Sequence, residues 1–146
     1  MKHLISLLFL FQAFGLMAQT DSRDPAYLNA VAIAFGELQK GQCTPCLEAY
    51  EKAFDISQHS PLSYLRAAHC AQMCQDKVKA QAFADKAVEI NWDATRQLLQ
   101  NERAYPELLA LQKSELGKKT LKKTKAAAKA SGITNPPASN SIIQKI

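Results

Sequence analysis

Tyr50-Glu51-Lys52-Ala53-Phe54-Asp55-Ile56 and, 34 residues later, Ala84-Asp85-Lys86-Ala87-Val88-Glu89-Ile90 are variants of one stretch. Lys52 falls on Lys86, Ala53 on Ala87 and Ile56 on Ile90. Acid meets acid at 51/85 and 55/89, apolar meets apolar at 54/88, and upstream Ala34 falls on Ala68. A fixed period of this size is the mark of stacked supersecondary units, each too small to bury its own apolar face.

Start and stop signals divide each unit into two helices. Asp24-Pro25 and Ser60-Pro61 place a side-chain acceptor ahead of a proline at the first helical position, where the missing N–H is no loss. Gly41 can adopt the left-handed conformation that ends the first helix, and Thr44-Pro45 can open the second. In unit two the break falls near Gln75-Asp76, with Asp76 as cap of a helix running to about Ile90. Tyr27, Val31, Ala34, Phe35 and Leu38 recur every three or four residues, as do Leu47, Tyr50, Ala53 and Phe54, so the period is helical and no strand is expected. Ala34, Ala53, Ala68, Ala80 and Ala87 sit where paired helices must approach closely.

A 34-residue helix-turn-helix unit with small residues in both helices and the block Tyr50-Glu51-Lys52-Ala53-Phe54 resembles the tetratricopeptide repeat. The resemblance covers residues 26 to 93. Trp92 stands where the family usually has proline, Ala30 where it favours an aromatic, and Ala84 where unit one has Tyr50. It implies an all-α fold, a short right-handed α-solenoid of two helix hairpins. Ala94 to Leu99 and Tyr105 to Leu111 are read as C-terminal capping helices, giving an ordered domain over residues 24–117.

The ends differ from this domain. Lys2 and His3 precede an apolar run from Leu4 to Met17, then Ala18 and polar residues. The run is shorter than the roughly 20 residues a helix needs to cross a bilayer, so residues 1–18 look like a bacterial secretory signal peptide with cleavage near Ala18. The expected location is periplasmic or secreted. The chain's net charge of +5 divides unevenly: residues 19–110 hold nine Lys and Arg against twelve Asp and Glu, residues 111–146 eight Lys against Glu115 alone. The folded part is therefore mildly acidic and no nucleic-acid partner is expected. Residues 118–146 read as a basic, largely disordered tail, in which Lys118, Lys119, Lys122 and Lys123 would offer contact with an anionic surface if the tail were helical.

Four cysteines in an exported chain favour disulfides. Cys43 and Cys46 open the second helix of unit one, while Cys70 and Cys74 close the first helix of unit two, its antiparallel neighbour. Facing residues in such a pair have nearly constant index sums. Cys43 with Cys74 and Cys46 with Cys70 keep that register; the crossed choice does not. Two alternatives compete. Cys43-Thr44-Pro45-Cys46 resembles the redox pair of thioredoxin-like oxidoreductases, and four thiolates with His69 suit zinc. The first needs a preceding strand, and the second lacks a second C-x-x-C.

No catalytic constellation, cofactor motif or metal set is expected. The histidines are isolated, and Glu48, Glu51, Asp55, Asp85 and Glu89 share helix faces with Lys52 and Lys86 as solvated surface. In the resembled family the inner face, lined by the first helix of each unit, receives a peptide or partner helix. On this chain that face includes Val31, Phe35, Leu38 and Gln39, then Leu65, His69, Gln72 and Met73. Of these, Phe35, Gln39, His69, Gln72 and Met73 are the candidate partner-binding residues, and the expected function is a non-enzymatic protein interaction module.

Overall fold

A computed structural model describes residues 24–132. The candidate signal segment 1–18 and residues 133–146 lie outside the described residues. The described chain is all-helical: α1 (Pro25–Gln39), α2 (Cys43–Ile56), α3 (Pro61–Met73), α4 (Lys77–Ile90), α5 (Trp92–Gln100), a 3-10 turn (Pro106–Leu108), α6 (Leu109–Lys113) and α7 (Glu115–Ala130). α1 pairs with α2 and α3 with α4. The two hairpins meet mainly through α2 against α3, and α5 pairs with α7.

The local signals act where the chemistry places them. Asp24 accepts from the Ala26 N–H at 2.8 Å, Ser60 caps α3 at Ser63, and Asp76 accepts from Lys79 N–H at 2.9 Å. α1 ends in a Schellman motif, with Gly41 at φ +72°, its N–H on Leu38 and that of Gln42 on Glu37. α3 ends identically 34 residues on: Gln75 takes φ +62°, its N–H bonds Gln72, and Asp76 N–H bonds Ala71. A β-carbon in this conformation is crowded against the backbone, so unit two bears a strain that unit one avoids. Gln75→Gly should therefore stabilise the fold by about 0.5–1 kcal/mol, read as a raised urea midpoint at unchanged slope.

Close packing follows the small residues. Ala34, Ala53, Ala68, Ala80 and Ala87 are all at most 1% exposed. Tyr50 and Leu65 fill the space between hairpins, and Phe54 stacks on Tyr64 with centroids 3.9 Å apart. Tyr27 Oη and Ser63 Oγ, 2.7 Å apart, join the start of α1 to that of α3.

Two expectations need correction. α2 begins at Cys43 rather than at Thr44-Pro45, because the Schellman turn is complete at Gln42. Pro45 then lies in the first helical turn, where an N–H is not needed. The domain does not stop at 117: residues 118–130 of the expected tail continue the helix that begins at Glu115, forming α7, which packs on α5 and α4. Gly117, Thr120, Thr124 and Ala128 make a buried stripe, flanked by half-buried Leu116 and Leu121. The hydroxyl of Thr120 donates to Leu116 carbonyl at 2.7 Å and that of Thr124 to Leu121 at 2.8 Å, leaving their methyl groups to pack. α7 thus closes the far end of the stack. Residues 101–114, with the 3-10 turn and α6, fold back onto α3.

Candidate interaction face

The four sulfurs join Cys43 to Cys74 and Cys46 to Cys70, with Cα separations of 5.3 and 6.0 Å, inside the usual disulfide range. Both bridges run from the start of α2 to the end of α3 and tie one hairpin to the next. The inner pair is fully buried and the outer pair partly exposed. Cys43 and Cys46 are not bonded to each other and follow α1, whereas a thioredoxin-like site needs a strand there. Among the described residues, no group of three His, Cys, Asp or Glu is disposed to hold a metal ion.

The eight inner-face positions divide into two sets. Val31, Phe35 and Gln39 share one face of α1 by their three- and four-residue spacing, and Leu28, which was not among the expected positions, lies on the same face. Leu28 is 52% exposed, Gln39 is exposed, and Val31 and Phe35 are half-covered; Leu38 is buried in the core. On α3, by contrast, the chain's own C-terminal segment occupies the face. Leu65 is fully buried, and Met73 packs against the core. Gln72 donates its side-chain amide to Ser114 Oγ at 3.1 Å. It also stands at the edge of a cavity of about 340 Å3 between α4 and the start of α7, with Lys77, Gln81, Leu116 and Lys119.

His69 is half-buried with its Nδ1 unpaired, and burial lowers its pKa below the ordinary histidine value while a Gln72 hydrogen bond opposes the shift. Burial thus favours its neutral form. Burial likewise pushes the Tyr50 phenol above the tyrosine range.

Two residues that the sequence did not single out mark the boundary between the open and closed parts. Arg66 lies over the Phe35 ring, its guanidinium carbon 4.4 Å from the centroid, and its Nε donates to Glu107 Oε1 at 2.8 Å. Both charged side chains are less than one-fifth exposed. Arg66 therefore clamps the 3-10 turn onto α3 while roofing one side of Phe35. Their separation of 41 residues left no local trace in the sequence. Lys118, Lys119 and Lys122 are exposed on α7, but Lys123 reaches back to Asp85 on α4 at 2.5 Å.

Neither protein-family models nor curated proteins nor solved structures yield a match to this chain. Among the described residues no helix is long and apolar enough to cross a membrane. The two disulfides are compatible with an oxidising compartment.

Proposed function

We propose that this chain is a non-enzymatic protein interaction module of tetratricopeptide type, exported to the periplasm or beyond, that binds a partner helix or extended peptide along α1. The observation that carries this reading is the composition of α1. Ala26, Leu28, Ala30, Val31, Ala32, Ile33 and Phe35 surround its axis, yet only Tyr27, Ala34 and Leu38 are fully buried. A helix apolar on all sides belongs in an interior. On its other flank Ile33 is 52% exposed beside a shallow cavity of about 360 Å3 that Ala30, Pro45 and Ala49 also line.

Self-coverage of α3 narrows the binding strip to Leu28, Val31, Phe35 and Gln39, with Arg66 at its edge. The exported location accords with the bridges and with the apolar start of the chain.

A photo-crosslinking residue placed at Leu28 or Gln39 should give one defined adduct in the producing cell, and the same group at Val78, exposed on α4, should not. In a second variant set Leu28→Asp should weaken that adduct at least about tenfold, since a buried carboxylate without a partner costs more than 1.4 kcal/mol. Equal adducts from all three positions, or none from any, would remove the strip from consideration.

A further inference from the structure

The ordering of α7 turns the lysine run into a geometry. At about 100° per residue, Lys118, Lys122, Lys125 and Lys129 fall within an arc of about 60° on the helix surface, spanning about 17 Å along its axis. All four are exposed. Lys119 lies beside this arc and is also exposed, whereas Lys123 lies further round and is spent on Asp85. The only acid on the helix is Glu115, which meets Lys118 in a largely solvated pair that neutralises little of the stripe. Five ammonium groups on one exposed side of a fixed helix form a linear positive field.

The shape of that face selects the partner. It is the convex side of a helix, with a cavity only at its Lys119 margin, and besides Glu115 its other exposed residues are Ala126 and Ala130. No arginine supplies a bidentate fork and no aromatic supplies a stacking platform, so neither bases nor sugar rings find a specific seat. Small side chains let the lysine stems lie flat against a plane of negative charge. We infer that the exposed face of α7, formed by Lys118, Lys119, Lys122, Lys125 and Lys129, docks on an anionic phospholipid surface. α7 packs on α4, α5 and α6, while α1 packs on α2 and α3 at the opposite end of the stack. Docking through α7 uses none of the residues of the α1 strip.

The test uses residues 19–146, which keep every described element and remove the apolar start that would itself partition into lipid. Co-sedimentation compares vesicles of pure phosphatidylcholine with vesicles containing about one third phosphatidylglycerol. Binding should require the anionic lipid and be lost at high salt. Lys122→Gln/Lys125→Gln/Lys129→Gln together should lower the partition coefficient about 100-fold, at roughly 5-fold per lysine near an anionic surface. Lys123→Gln should change binding less than about 2-fold, since its ammonium already serves Asp85. Circular dichroism checks that both variants retain their helices. Equal binding to neutral vesicles, no vesicle binding, or a triple variant that binds as the parent does would each overturn the inference. So would retention on immobilised heparin at a salt concentration where vesicles are not bound, which would make the face a site for soluble polyanions.

Discussion

Replacing all four cysteines with alanine is expected to remove about 5 kcal/mol of stability, as large as the whole margin of many small domains. The outer bridge, with a sequence separation of 31 residues, limits the unfolded chain by about 3–4 kcal/mol on the loop-entropy account. The inner bridge, separated by 24 residues, adds less once the outer exists, because the remaining loop is short. Either pair removed alone should cost about 2–3 kcal/mol, since the other still closes a long loop. The inner pair should be the costlier, because Cys46 and Cys70 are completely buried and alanine leaves a sulfur-sized hole at each. Thermal unfolding followed by circular dichroism should show the four-alanine variant melting at least about 20 °C below the parent, and a reductant should lower the parent's midpoint similarly. A combined loss below about 2 kcal/mol would mean that the hairpins hold together without the bridges. Peptide mapping without reduction tests the pairing itself.

Those pairs were legible because an antiparallel helix pair converts sequence position into spatial register. The same holds for the helix ends, where Asp24-Pro25, Ser60-Pro61, Gly41 and Asp76 carry their geometry in their own side chains or lack of one. Three features were not legible. Gln75 adopts a left-handed conformation with nothing in its chemistry to ask for it; the 34-residue offset from Gly41 was the available clue. The Arg66–Glu107 contact closes the inner face of α3, and long-range ion pairs have no local period. α7 was hidden by its composition. Threonine reads as polar, but here each buried hydroxyl is satisfied by its own helix and the remaining methyl behaves as apolar surface. Six lysines crowded into residues 118–129 then made the hydrophobic stripe look like a solvated run. The partial covering of the α3 positions has a different origin: it comes from the 3-10 turn and α6, in the stretch read as cap, whose docking site has no local trace.

Gly117→Ala should destabilise the fold by about 3 kcal/mol, although the same change in an ordinary helix stabilises it. A β-carbon at Gly117 would press into the Leu111 carbonyl oxygen far inside contact distance and lie 2.9 Å from that of Gln112. Both atoms are backbone, so no rotamer change relieves the clash. α6 and α7 must separate, and the joint between them is already crowded with hydrogen bonds. Ser114 Oγ donates to Leu111 carbonyl at 2.6 Å and accepts from the Gly117 N–H and from Gln72, tying α6, α7 and α3 together through one hydroxyl. Gly36 provides the opposite case: it lies within α1, and a β-carbon there meets nothing within 4 Å. Gly36→Ala should raise stability by about 0.5–1 kcal/mol through the lost freedom of the unfolded chain. Chemical denaturation of the two variants therefore gives opposite signs if α7 is seated on α6 as described. A gain in both would mean that the close approach is absent. In that case nothing would fix the face of α7 that carries the lysines, and the lipid-facing stripe would lose its basis together with the cap.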